Sequence, residues 1–111
     1  MLGFNHAFRG LYNVLRTERN FKIQLLAFLL VVVLGFVFQI TIDDWIALLL
    51  VSGIVLSLEI VNSAIERLCD LYSTKENKQI KLIKDISAGA VLLAALFAII
   101  VGVLVFYPYL V

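Results

Sequence analysis

Breaks and charges are scarce in this chain. Proline, cysteine and histidine occur once each, and only 15% of the 111 residues are charged. The single cysteine, Cys69, permits no intrachain disulfide and cannot by itself form a thiolate metal site. The formal charge of +1 gives no basis for nucleic acid as a partner. There is no G-x-x-x-x-G-K-[ST] loop, no G-x-G-x-x-G turn, no H-E-x-x-H pair and no cysteine–histidine cluster, so the known soluble nucleotide cradles and zinc sites are absent from the sequence. What fills the chain is apolar: 63% of residues are hydrophobic, against roughly 45–50% in water-soluble domains. Lipid must be part of its solvent, and the length supports one domain.

Three apolar runs predict three transmembrane helices, over 23–42, 45–66 and 86–107. The run from Leu25 to Phe38 is uninterrupted, and extended to Ile42 it makes ~27 Å of helix at ~1.5 Å per residue. The Gln39-to-Asp44 connection admits only a tight turn, with Asp44 placed to cap the second helix, so the first two spans form an antiparallel hairpin. Pro108 is expected to stop the third helix, with Tyr107 and Tyr109 at an interface. All nine basic residues flank the other ends: Arg9, Arg16, Arg19 and Lys22 before the first span, and Arg67, Lys75, Lys78, Lys81 and Lys84 between the second and third. By the positive-inside rule that side is cytoplasmic, which puts the amino terminus inside, the carboxyl terminus outside and a cytoplasmic loop over 67–85, with a polar turn at Ser73 to Asn77. The first apolar run is preceded by a long basic segment and followed by no small-residue cleavage pattern, so no cleaved signal peptide is expected. Within residues 1–20, Phe4, Phe8, Leu11 and Leu15 recur at helical spacing, forming one apolar stripe that predicts an interfacial helix on the inner leaflet.

The second span carries the chemistry. On an ideal helix Glu59, Asn62 and Glu66 fall within an arc of ~60°, and Asp70 widens it to ~80°. Counted inward from Trp45, Glu59 lies ~21 Å along the axis and Glu66 ~31 Å, so the first is at hydrocarbon depth and the second at the cytoplasmic surface. A carboxylate at that depth costs a few kcal/mol and must face protein or a wet cleft, which makes the row a site candidate by default. Glu18 before the first span and Lys84-Asp85 before the third fall at the depth of Glu66. Carboxylates beside a lysine suit a magnesium-bound polyphosphate, with hard oxygens for the metal and a point cation for the phosphate. The bland readings are helix-end charge for Glu18, a membrane anchor for Lys84 and a helix cap for Asp85. His6 sits on the amphipathic helix, where surface packing is the ordinary reading and a nucleotide contact the minority one.

The stretch Glu59-Ile60-Val61-Asn62-Ser63-Ala64-Ile65-Glu66 with Asp70, and the later Ile83-Lys84-Asp85-Ile86-Ser87-Ala88-Gly89-Ala90-Val91-Leu92, resembles the bacterial diacylglycerol kinase family over nearly the whole chain. The pattern is E-x-x-N-S-A-I-E-x-x-x-D, with K-D before the third span and a glutamate, Glu18, before the first. The resemblance implies an all-α homotrimeric inner-membrane enzyme that moves the γ-phosphate of MgATP onto a lipid hydroxyl. It implies Glu59 as general base and lipid contact, and Glu18 and Glu66 as metal ligands. It also implies Asn62, Asp70, Lys84 and Asp85 as nucleotide neighbours, with His6, Glu76, Asn77 and, on the lipid side, Ala88 as further contacts. Around Glu18 the chain reads Thr17-Glu18-Arg19-Asn20-Phe21-Lys22-Ile23-Gln24, closer to the undecaprenol kinase branch, so undecaprenol is placed ahead of diacylglycerol as the lipid. Oligomerisation is expected on the ground that three helices cannot alone shield Glu59 and build a two-substrate cleft. The competing class is a non-catalytic assembly subunit or ion-coupled transporter. Against it, the polarity stops halfway: beyond Glu59 toward the outside, Trp45 to Leu56 offers only Ser52.

Overall fold

The computed structural model describes residues 2–73 and 75–111, and its elements are all helical. They are α1 (Leu2–Thr17), α2 (Arg19–Phe38), α3 (Ile42–Tyr72) and α4 (Lys78–Leu110). The last three are each long and apolar enough to cross a membrane. At ~1.5 Å per residue the 20 residues of α2 match the hydrocarbon thickness, whereas the 31 of α3 and 33 of α4 exceed it by several turns. The protein is therefore an all-α membrane bundle with an amphipathic helix at its amino terminus. Phe4 and Phe8 on the α1 stripe are exposed, while Val14, beside the stripe rather than on it, is buried.

The connection between the second and third spans is shorter than the sequence reading of a loop over 67–85. Arg67 to Tyr72 contains no breaker and continues α3, and Asn77 starts α4 early by accepting hydrogen bonds from the amides of Gln79 (2.8 Å) and Ile80 (3.3 Å). Thr74, in the expected polar turn, lies outside the described residues, as does Met1 of the expected interfacial helix.

At the opposite end two local expectations change. The cap of α3 is Thr41, whose Oγ1 accepts from the Asp44 amide at 3.2 Å. Asp43 and Asp44 then occupy the first turn, where they complement the helix dipole. The Asp44 carboxylate is instead engaged by the Tyr109 hydroxyl, which donates to Oδ2 at 3.2 Å. That bond and the Phe38–Tyr109 ring contact, 6.0 Å between centroids, hold the last turn of α4 in place, and the helix runs through Pro108 to Leu110. The missing proline N–H removes one ladder bond, and with only Tyr109 and Leu110 after it in the helix there is no further length for a kink to misdirect.

The α2–α3 turn explains its own tightness. Gln39 adopts the left-handed conformation (φ 52°), and the amides of Gln39 and Ile40 donate to the carbonyls of Phe36 and Gly35, a Schellman closure. Ile40 is thereby buried with Leu48 and Val105, flanked by Val31, Phe38 and Trp45. Trp45 lies against Gly35, where a Cβ would stand 2.6 Å from the indole ring edge, and Phe36 packs on the same indole at 5.0 Å. The ring cannot swing away without losing that contact. Gly35→Ala is therefore expected to destabilise the folded chain by about 1–3 kcal/mol. Thermal unfolding in detergent measures this, and an unchanged midpoint would show that the indole moves freely.

Candidate active site

The polar row on α3 follows a gradient of burial. Glu59 and Asn62 are each 8% exposed, Glu66 is half-buried and Asp70 is exposed. A single chain thus already shields Glu59, which corrects the shielding half of the ground given for oligomerisation: α3 is flanked by both neighbouring spans, and the side chain is covered inside one bundle. The Asn62 Oδ1 is buried and has no hydrogen-bond partner among the described residues. An orphaned buried acceptor costs about 1–3 kcal/mol, so it is a polar atom available to a ligand.

Glu18 joins the row from another element. It is the one residue between α1 and α2, in extended conformation (φ −99°, ψ 111°) at the N-cap of α2, yet its side chain does not cap that helix. It reaches across to α3. Ser63 Oγ donates to Glu18 Oε1 at 2.7 Å, and Arg67 donates to the same oxygen from Nη2 at 2.8 Å and Nε at 3.3 Å. Both Glu66 and Glu18 lie within electrostatic reach of Glu59. From α4, Lys84 pairs with Asp70 at 2.7 Å and also feels the Glu66 carboxylate. Three elements therefore bring Glu18, Glu59, Asn62, Glu66, Asp70 and Lys84 to one end of the bundle.

Other sequence candidates go elsewhere. Asp85 is inside α4 rather than at its cap, and pairs with Lys81 one turn back at 2.9 Å. Asn77 spends its carbonyl oxygen capping α4, while Glu76 is exposed in the connection and Ala88 exposed on α4. His6 is exposed on α1 beside Arg9, at the rim of a cleft of about 470 Å³ that Asn13, Ser63 and Arg67 also line. The sequence reading passed over Ser63 and Arg67. Their signal was the i, i+4 spacing that places both on one stripe beside the Asn62–Glu66 row.

The donor set is suited to a hard cation shared with a ligand rather than held by protein alone. Among the described residues no three acidic, histidine or cysteine groups converge closely enough to bind a metal unaided. Glu66, the outer oxygen of Glu18 and the Asn62 carbonyl are nevertheless the oxygen donors that magnesium takes when phosphates and water complete its octahedron.

Fold and site together define a multi-pass membrane protein with a covered carboxylate and further ionisable groups gathered along one helix face. A family model, Prokaryotic diacylglycerol kinase, matches residues 5–106, and the chain belongs to that family. It is thus a membrane lipid kinase and not an assembly subunit or transporter. It is 40% identical over 105 residues to the undecaprenol kinase of Bacillus subtilis (strain 168), covering 95% of this chain and 85% of that protein. It is 34% identical over 103 residues to the diacylglycerol kinase of Synechocystis sp. (strain ATCC 27184 / PCC 6803 / Kazusa), covering 92% of this chain and 59% of that one.

The Ser63 hydrogen bond, and then Arg67, hold the Glu18 carboxyl below its ordinary value of 4.5. A depressed carboxylate stabilises the fold fully above its ordinary value and loses that contribution as pH falls through the lower folded value. In metal-free detergent solution, unfolding midpoints are therefore expected to fall more steeply below about pH 4.5 for the native chain than for Glu18→Gln. Parallel curves would show that the Glu18 contacts add nothing to stability.

Proposed function

We propose that the chain transfers the γ-phosphate of MgATP to the hydroxyl of a membrane lipid alcohol. Undecaprenol is the first candidate, since the 40% identical relative is an undecaprenol kinase, and diacylglycerol is the second. The observation that carries the reading is the burial gradient along α3: a covered carboxylate at lipid depth, followed two turns later by a half-buried one at the aqueous edge. A lipid hydroxyl and a cytosolic nucleotide can meet there without either leaving its own solvent, which turns a two-phase encounter into a positioned one.

In this reading Glu59 takes the hydroxyl proton as the bond to phosphorus forms. Glu18 and Glu66 hold the metal, and Asn62 offers its orphaned carbonyl to the same ligand shell. Magnesium, when bound, neutralises charge on the phosphate oxygens. Lys84 is held by Asp70 and presents its remaining N–H groups to the transferring phosphoryl, with Asp85 nearby in sequence; His6, Glu76 and Asn77 are peripheral nucleotide contacts and Ala88 a lipid contact. The lipid's hydrocarbon chain lies along an apolar cleft of about 600 Å³ between α2, α3 and α4. Val55, one turn from Glu59, lines its inner part, and Phe106 its outer part. The amino terminus is cytoplasmic and the carboxyl terminus external, by the distribution of basic residues. The exposed apolar faces of α2 and α4 serve lipid and a homotrimer.

Purified protein with MgATP is expected to phosphorylate an alcohol in a panel containing undecaprenol and diacylglycerol, and Glu59→Gln to lower kcat by at least about 10²-fold without loss of thermal stability. A panel yielding no phosphorylated lipid would sink the kinase assignment of substrate, and an active Glu59→Gln would sink the base. Glu66→Gln is expected to raise the magnesium concentration needed for half-maximal rate by about tenfold or more. An unchanged magnesium titration would reject Glu66 as a ligand.

A further inference from the structure

We infer that Arg67 is a positioning residue for Glu18, turning that carboxylate so that one oxygen is occupied by protein and the other is presented to the metal. The inference rests on the reading of Glu18 as a metal ligand given above.

Three observations lead to it. First, the contacts to Glu18 converge on Oε1: Ser63 Oγ at 2.7 Å, Arg67 Nη2 at 2.8 Å and Arg67 Nε at 3.3 Å. Oε2, by contrast, accepts from no described residue. Second, the guanidinium is itself anchored. Its Nη1 donates to Asn13 Oδ1 at 2.6 Å and its Nη2 to Thr17 Oγ1 at 2.8 Å, and the Thr17 hydroxyl donates to the Asn13 carbonyl at 2.7 Å. One side chain from α3 thus ties down the last turn of α1 and the elbow residue that follows it. Third, the elbow needs tying. Glu18 is the only non-helical residue between α1 and α2, and the large apolar side chains Phe4 and Phe8 of α1 point away from the bundle. Apart from Val14, little of α1 is buried to fix its angle.

An ordinary surface ion pair would not do this, because two long side chains lose as much entropy as the pair gains. Arginine's planar fork, used here on three acceptors at once, has a fixed geometry that a lysine ammonium cannot reproduce. Ser63, 6% exposed, adds a donor that is immobile because it is packed inside the bundle.

The proposal and its rival differ in sign. If Arg67 acted only as a charge, it would oppose a cation at Glu18, and its removal would tighten metal binding. If it positions the carboxylate, its removal weakens metal binding, because Glu18 regains rotamers and the elbow regains motion. Loss of a partner that orients a metal ligand typically costs 10- to 100-fold in metal affinity.

The test uses the full-length protein in detergent with Arg67→Gln, Arg67→Lys and Glu18→Gln. Mn²⁺ binding is followed by electron paramagnetic resonance in the presence of a non-hydrolysable ATP analogue, alongside magnesium titrations of the rate. Arg67→Gln and Arg67→Lys are both expected to weaken Mn²⁺ binding and raise the magnesium half-saturation by about tenfold or more, with kcat at saturating magnesium largely recovered. The double variant with Glu18→Gln is expected to bind no more weakly than Glu18→Gln alone, since the two residues act as one unit. Tightened or unchanged Mn²⁺ binding in Arg67→Gln, native behaviour in Arg67→Lys, or additivity in the double variant would each overturn the proposal. Should Arg67→Gln fail to fold, Thr17→Val removes one anchor while leaving the ion pair, and is expected to shift Mn²⁺ binding in the same direction by a smaller factor; no shift would overturn it. Unchanged binding in Glu18→Gln would remove the metal-ligand reading itself, whereas weakened binding there with native binding in Arg67→Gln defeats only the positioning role.

Discussion

The structure is organised around the burial of one carboxylate in a helix that lipid surrounds. Glu59 cannot face hydrocarbon, so α3 must sit between α2 and α4 with its polar row turned into the bundle. That single requirement orients α3 about its own axis. It leaves Val61 and Leu68, on the other side, half or more exposed. The same orientation carries Asn62 inward and leaves Glu66 half-buried and Asp70 exposed, so one helix face passes from covered to open over three turns.

The aqueous end is completed by parts that lie far apart in the chain. Glu18 comes from the elbow between α1 and α2, Lys84 from the first turns of α4, and both meet α3 through ion pairs with Arg67 and Asp70. The extension of α3 and α4 beyond the membrane makes this possible. Because the helices continue to Tyr72 and from Lys78, the charged residues near them are held on rigid rods rather than on a mobile loop. The opposite end has a different task. There the Schellman turn at Gln39, the Trp45–Gly35 contact and the Tyr109–Asp44 bond close the bundle.

Much of this was legible in the residues. Three apolar runs, nine one-sided basic residues and a carboxylate row at helical spacing predict the spans and the candidate site, because membrane thickness and helix geometry leave few alternatives. The family follows from the E-x-x-N-S-A-I-E-x-x-x-D pattern. The less legible parts were those decided by competition between near-equal local options. Thr41 and Asp44 are both good caps, and the turn geometry chose Thr41; Pro108 is a helix breaker in general but is accommodated where only two helical residues follow it. Residues 67–72 and 78–85 looked like loop because they are charged, although nothing in them breaks a helix.

By itself, then, the sequence determined the solvent, the number of spans, the side on which the charges gather and the face that holds Glu59, Asn62 and Glu66. Those follow from periodicity and from the cost of placing charge in hydrocarbon, which act along the chain. Only the tertiary structure decided that Glu59 is covered within one chain, that Asp85 turns back to Lys81, and that Arg67 and Ser63 converge on a single oxygen of Glu18. Each depends on which side chain arrives across a gap of many residues, and no local pattern encodes that distance.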